Sequence, residues 1–274
     1  CGIHFGGLPI ASYISTTYNK PMIFVRDCVK SYGSKKIIEG EYKKDDKCVI
    51  IDDVITTGYS IENVIKILKD EVNIIDIAVV FNRQQNPECT LSIKSLLYKN
   101  DVIKYRLKQI SKNKKSHLCF SADIEDPYKL LDLLNKIGKY IVVCKLHFDI
   151  IKIQDYDGDF KNELIKSSID NNFLIMEDRK LIDISYIVTK QYSQYMNWID
   201  MITVHASVSN DVVSKLSGAL LVANMSNNNY DLTDNAIQLA KTNPNNVIGF
   251  ITQKRINYNN LICMTPGISN KNTQ

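Results

Sequence analysis

Apolar and polar residues alternate in blocks along this chain. Beyond residue 117, short apolar runs recur at 118–122, 141–144, 173–176, 199–204, 219–223, 247–251 and 261–264. Runs of this length suit buried strands. Between most of them the apolar positions take a helical period, as over 128–137, which ends at Gly138, and over 232–240. Repeated strand–helix units predict a parallel sheet, and this many predict a (β/α) barrel. The runs number seven, where a closed barrel needs eight. Polar residues stand just after them: Asp123, Lys145, Asp178 with Lys180, His205, Ser226, Gln253 and the pair Pro266-Gly267. In a barrel these positions share the catalytic face.

The first hundred residues have a different rhythm. Residues 2–14 are small and apolar, with Gly2, Gly6, Gly7 and Pro9, and read as a loop entering a helix. Residues 21–26 read as a strand. The polar stretch 27–47 carries Lys30, Lys35, Lys36, Lys43, Lys44 and Lys47. Its composition fits a disordered surface loop and a mobile basic lid over a polyphosphate equally well. Residues 49–51 predict a buried strand with Asp52 and Asp53 at its C-terminal end. Thr56, Thr57 and Gly58 form a turn, and 60–68 a helix with Ile61, Val64, Ile65 and Leu68 on one face. A strand, a tight turn and a helix N-terminus can bind phosphate through backbone N–H groups and the helix dipole, while two carboxylates just upstream can accept from vicinal sugar hydroxyls. Residues 91–98 close this first region. A helix over 100–110 and a basic hinge at 112–115 lead into the second, giving domains at 1–100 and 101–274.

Charge and composition narrow the class. The net charge of +4 is too mild to argue for nucleic acid but suits an anionic substrate. No apolar run approaches the ~20 residues that span a bilayer. The seven cysteines are scattered without a CxxC, several inside apolar runs, and read as buried thiols of a reducing, cytoplasmic compartment. The four histidines lack metal-ligand spacing; His147 and His205 read as hydrogen-bonded packing residues. The chain opens at Cys1 in mid-pattern, which reads as a fragment.

Two stretches carry resemblances. The string from Cys48 to Ser60 resembles the phosphoribosyl pyrophosphate motif of type I phosphoribosyltransferases, whose core is a Rossmann-like parallel sheet. Residues 1–11, 25–33 and 79–84 narrow this to orotate phosphoribosyltransferases, over about residues 1–98. The resemblance implies pyrophosphate contacts at Arg26, Lys30 and Tyr32, and an orotate contact at Arg83. It also implies phosphoribosyl pyrophosphate binding at Asp52, Asp53, Thr56, Thr57, Gly58 and Ser60, with Mg²⁺ carried on the pyrophosphate. Asp27 replaces a second basic residue of that family, and Asn82 its usual Asp. The family's N-terminal segment has no counterpart here.

The charged cluster 177–183, which by spacing alone could be a solvated strand end, resembles the Asp-x-Lys-x-x-Asp signature of orotidine 5'-phosphate decarboxylases in Asp178, Lys180 and Asp183. That resemblance covers about 104–268 and implies a TIM barrel, here an incomplete (β/α)8 one. Lys145, Asp178, Lys180 and Asp183 would form its alternating catalytic array, with Lys180 as proton donor and no cofactor. Asp123 would contact the ribose and Ser226 the pyrimidine, while Pro266 would lie in the seventh strand's substrate-binding loop. Asp183 would reach a neighbouring subunit's site, implying a homodimer. Departures follow at 184–187, where the family's Gly-Asn-Thr is lost, and at 206–209. Both domains in this order are similar to the bifunctional uridine monophosphate synthases, which act on orotate, phosphoribosyl pyrophosphate and orotidine 5'-phosphate. The expected fold class is thus α/β throughout. The expected end at Gln274, short of an eighth strand and its phosphate ligands, predicts weak decarboxylation. The alternative is an impaired remnant serving as a nucleotide-binding or assembly module.

Overall fold

The structure is a computed structural model that describes residues 1–26, 37–83, 93–225 and 230–268. The chain divides into two compact units, Cys1–Lys99 and Asn100–Gln274. Lys30, Tyr32 and Ser226 lie outside the described residues, as does Asp27.

In the first unit, α1 (Gly7–Tyr18) is followed by a small antiparallel pair, β1 (Ile23–Val25) and β2 (Ile38–Gly40). β2 falls inside the stretch expected to be polar loop: Ile38 is buried among Ile23, Val25 and Ile50, so one apolar residue anchors a strand that composition hides. The parallel sheet then runs β3 (Lys47–Ile55), β4 (Asn73–Asn82) and β5 (Ile93–Tyr98) in that order, with α2 (Tyr59–Leu68) crossing over between β3 and β4. Ile61, Val64 and Leu68 bury the predicted face of α2 against Ile50, Ile55 and Ile77. β3 is longer than expected. It continues through Asp52 and Asp53 because Val54 and Ile55 still pair with Phe81 and Asn82 of β4, and Ile55 is buried.

The second unit opens with α3 (Lys99–Lys114). Residues 112–114 of the expected hinge are instead the last turn of this helix. Lys114 Nζ donates to the carbonyls of Gly138, Ile141 and Asn171 at 2.6–2.8 Å, so its charge staples the helix end to the strand–helix layer. Seven parallel strands follow in sequential order: β6 (Cys119–Ala122), β7 (Val143–Leu146), β8 (Leu174–Leu181), β9 (Met201–His205), β10 (Ala219–Val222), β11 (Val247–Ile251) and β12 (Ile262–Met264). Between them lie α4 (Pro127–Ile137), α5 (Phe160–Asn171), α6 (Ser185–Tyr192), α7 (Asn210–Ser214) and α8 (Thr233–Thr242). Asp126 and Asp159 cap α4 and α5, accepting from the N–H groups of Lys129 and Asn162.

Alternation along the strands sorts the side chains into two layers. Cys144, Leu146, Ile175, Ile202, Val204 and Leu221 face the helices, where Leu134, Leu164 and Val188 meet them. Val143, Leu174, Met176, Met201, Leu220 and Ile248 face inward with Ile103 and Ile110 of α3. The inward positions one step further along β7, β8 and β9 are Lys145, Asp178 and Thr203. The polar cluster is therefore the next inward layer above an apolar one, at the C-terminal ends of parallel strands.

β8 departs most from its expected form. The apolar run predicts a strand ending near Met176, yet the strand continues to Leu181. Glu177 pairs with Ile202 and Leu181 with Val204, so Asp178, Arg179 and Lys180 together lie opposite Thr203 alone. This is a bulge in β8, and Lys180 within it has φ of 48°. A left-handed lysine is uncommon and held only where neighbours over-determine it.

Candidate active sites

In the second unit the chain brings Asp123, Lys145, Asp178 and Lys180 together. Lys145 Nζ and Lys180 Nζ both donate to the same oxygen, Asp178 Oδ2, at 3.0 and 2.8 Å. Asp123 Oδ1 lies 3.6 Å from Lys145 Nζ. Asp178 is buried, and its other oxygen, Oδ1, accepts from Thr203 Oγ1 at 2.8 Å. Burial alone would raise the Asp178 pKa; the Lys180 hydrogen bond and the charges of both lysines overcome it and hold the carboxyl down at about 2. For Lys145, burial disfavours the charge, but Asp178 and then Asp123 prevail and the pKa is raised. The result is a buried anion held between two cations.

Asp183 is not part of this array. It is exposed, its carboxylate accepts from the Ile184 N–H at 2.7 Å, and Ile182, Ile184 and Tyr186 around it are exposed too. Pro266 lies beyond β12, its carbonyl accepting from Gln253 Nε2 at 3.3 Å.

Two residues enter this site that sequence reasoning had placed elsewhere or passed over. His147, expected to be a packing residue, has its Nε2 3.4 Å from Asp178 Oδ2 and 3.9 Å from Asp123 Oδ1. Burial lowers its pKa against the pull of Asp178, which favours the neutral ring at neutral pH. Thr203 was passed over altogether; its signal was a hydroxyl flanked by Ile202 and Val204 in an otherwise apolar strand. His205 keeps its expected role, its Nδ1 hydrogen-bonded to Ser207 Oγ at 2.7 Å.

In the first unit, Asp52 is buried and Asp53 exposed on consecutive positions of β3. The Asp53 N–H donates to Asp52 Oδ1 at 2.9 Å. Burial, with a smaller push from Asp53, raises the Asp52 pKa to about 6. Thr56, Thr57 and Ser60 are exposed around the start of α2, whose N-cap Gly58 has φ of 87°. A side chain there would be strained, so the glycine permits the tight turn. The Arg83 N–H donates to the Ile55 carbonyl at 2.9 Å, which sets Arg83 beside the same turn with its side chain exposed. Gly6 approaches the carboxylate pair so closely that a Cβ there would overlap Asp53. Arg26 forms an ion pair with Glu39 across β1 and β2 at 2.7 Å.

Among the described residues no group of three or more His, Cys, Asp and Glu is placed to hold a metal ion, and no helix is long and apolar enough to cross a membrane.

Comparison with known proteins places both units. The phosphoribosyl transferase domain model matches residues 2–108. The model described as the orotidine 5'-phosphate decarboxylase / HUMPS family matches residues 116–274, more than half the chain. The chain is 27% identical to the uridine 5'-monophosphate synthase of Bos taurus, over 98% of this chain and 72% of that protein. It is 34% identical to the orotidine 5'-phosphate decarboxylase of Pichia kudriavzevii, over 60% of this chain and 71% of that one. The solved Leishmania donovani UMP synthase matches with a TM-score of 0.35 at 30% identity, over 39% of this chain and 24% of that chain. The two domains are those of consecutive steps in pyrimidine biosynthesis, phosphoribosyl transfer to orotate and decarboxylation of the product. With a phosphoribosyl transferase domain ahead of its barrel strands, the chain belongs to the orotidine 5'-phosphate decarboxylase / HUMPS family.

Proposed function

We propose that the second unit decarboxylates orotidine 5'-phosphate with Lys180 as the proton donor, and that the first makes this nucleotide from orotate and phosphoribosyl pyrophosphate. The observation that carries the reading is the shared oxygen of Asp178, gripped by Lys145 and Lys180. Loss of CO₂ from C6 of the pyrimidine breaks one C–C bond and leaves its electron pair on C6, where no neighbouring group delocalises it. A cation already fixed at that point stabilises the developing charge without reorganising. Lys180 then transfers a proton to C6 and becomes a neutral amine until solvent reprotonates it. Asp178 faces the departing carboxylate. Lys145 keeps the array neutral enough to stay assembled, and Asp123 stands where a ribose hydroxyl can donate to it. The side chains supply the charge, so the step calls for no cofactor. Release of CO₂ from carboxyl-labelled orotidine 5'-phosphate by the purified chain tests the reading; no release above the solution rate would refute it.

In the first unit, Asp52 and Asp53 accept from the ribose hydroxyls of phosphoribosyl pyrophosphate, and the 56–60 turn donates N–H groups to its 5'-phosphate. Mg²⁺ enters as part of this substrate, on the pyrophosphate. Arg26 and Arg83 serve the pyrophosphate and orotate, with Lys30, Tyr32 and, in the second unit, Ser226 completing the expected contacts. We expect calorimetry with Mg²⁺ and phosphoribosyl pyrophosphate to show binding by the wild type and a loss of roughly 100-fold or more for Asp52→Asn/Asp53→Asn, which removes two charge-assisted hydrogen bonds. Equal affinities would exclude the motif as the binding site.

The second unit is proposed to pair with a second copy through the surface around Asp183. Three large apolar side chains, Ile182, Ile184 and Tyr186, are each at least 60% exposed beside that carboxylate. Exposed apolar side chains clustered together, here across the β8–α6 junction, mark interaction surfaces. Sedimentation should report a dimer that Ile184→Glu converts to monomer; an unchanged sedimentation coefficient would count against this surface. The free cysteines among the described residues, Cys1, Cys48, Cys119, Cys144 and Cys263, fit a cytoplasmic setting.

A further inference from the structure

We propose that Thr203 is a positioning residue that locks the β8 bulge and thereby aims both reactive side chains of that strand. The inference rests on the decarboxylase reading of this site. Three observations meet at one hydroxyl. Thr203 is the single β9 residue facing Asp178, Arg179 and Lys180, where the register of the two strands slips. Its Oγ1 donates to Asp178 Oδ1 at 2.8 Å and accepts the Lys180 backbone N–H at 2.8 Å. Lys180 has positive φ, so its backbone N–H is turned out of the ordinary ladder direction.

In a regular parallel pair the Lys180 N–H would meet a β9 carbonyl. In the bulge no ladder partner is in register for it, and the threonine hydroxyl takes that place. The same oxygen uses its own proton on Asp178, so it has only one arrangement: donor to the carboxylate, acceptor from the amide. Thr203 has no exposed surface, so water cannot replace it in either bond. The carboxylate it grips is the one that holds Lys145 and Lys180. One side chain thus fixes the backbone under the proton donor and the orientation of the anion that the donor pairs with. β-Branching restricts its χ1, which suits a fixed strut.

The test compares Thr203→Val, Thr203→Ser and wild type. Valine keeps the shape and removes the hydroxyl; serine keeps the hydroxyl. For Thr203→Val we expect kcat for CO₂ release to fall roughly 10- to 100-fold, the loss of one charge-assisted hydrogen bond at the reacting centre. KM for orotidine 5'-phosphate should change by less, because the fully buried hydroxyl is taken up by Asp178 and the Lys180 N–H. Thr203→Ser, which keeps the hydroxyl, should stay within about threefold of wild type on both parameters. A second readout does not depend on turnover: the carbon-13 resonance of the Asp178 carboxyl should titrate at higher pH in Thr203→Val than in wild type, and serine should restore it. An active wild type with an equally active, folded Thr203→Val and an unmoved Asp178 titration would overturn the assignment of Thr203. An inactive wild type would overturn the decarboxylase reading instead, and the titration would still judge the strut.

Discussion

Lys180→Ala is expected to abolish CO₂ release from orotidine 5'-phosphate by the chain while leaving its fold intact. Two separate contributions vanish with the ammonium. General acid catalysis by a positioned group is worth roughly 10²- to 10⁴-fold. Preorganised charge at the point where an anion develops is worth roughly a further 10²- to 10³-fold. Their product, about 10⁴ to 10⁷, places the variant at or near the detection limit of a labelled-CO₂ assay. Folding should survive because the Lys180 side chain is partly exposed and the alanine inherits the same backbone bond to Thr203. Lys145 remains 3.0 Å from Asp178, so the buried carboxylate keeps one cation. Circular dichroism and urea unfolding should therefore overlay the wild type closely. Consumption of orotidine 5'-phosphate at an unaltered rate would show that the proton comes from elsewhere, with Lys145 as the remaining ammonium of the cluster.

The parts of this site that were legible in the sequence are those that depend on one strand at a time. Each of the seven apolar runs beyond residue 117 became a strand of the barrel sheet, because a short apolar run has little choice but to be buried. Asp123, Lys145 and Asp178 stand just after such runs, where the catalytic face of a barrel lies, and the family resemblance singled them out there. The turn from Thr56 to Gly58 was legible for a similar reason: a strand, a glycine with positive φ and an amphipathic helix are each local signals.

Whatever depends on register between two strands was not legible. Asp178 to Lys180 look like a fraying strand end, since three consecutive charged residues violate the alternation of a buried strand. They remain in β8 because the bulge sends Asp178 and Lys180 to the array while Arg179 turns to an ion pair with Asp149. The partner that makes this possible is 23 residues away on β9. The nearness of His147 to Asp178 was hidden on the same ground, because His147 follows β7 and Asp178 lies on the neighbouring β8. β2 and the last turn of α3 were hidden in lysine-rich segments, where a single contact outweighs composition: Ile38 in the core of the first unit, and Lys114 on three carbonyls in the second.

A buried carboxyl next to the array gives the second large effect. Glu177 precedes Asp178 but points the other way, into the helix-facing layer, and has no exposed surface. Its Oε2 accepts from the Phe148 N–H at 3.0 Å, and its Oε1 has no hydrogen-bond partner among the described residues. Burial raises its pKa to about 7; Asp149 and Asp178 push the same way, while the Phe148 N–H and Arg179 oppose them. The ordinary value is 4.5, so the folded chain holds this proton more tightly than the unfolded one. Its contribution to stability is therefore complete below about 4.5 and lost as pH rises through about 7. A shift of that size corresponds to about 3 kcal/mol at pH 8. Glu177→Gln removes the titration and keeps the shape and an acceptor for Phe148. Any constant cost of its unpartnered amide, ~1–3 kcal/mol, moves the whole curve and leaves its slope alone. The other titrating groups are common to both proteins and cancel in the comparison. Urea unfolding at pH 5 and pH 8 should show the variant gaining about 2–3 kcal/mol on the wild type between those values, since part of the effect is already present at pH 5. Parallel stability curves across that range would mean that Glu177 ionises freely in the fold, through a route for water to Oε1.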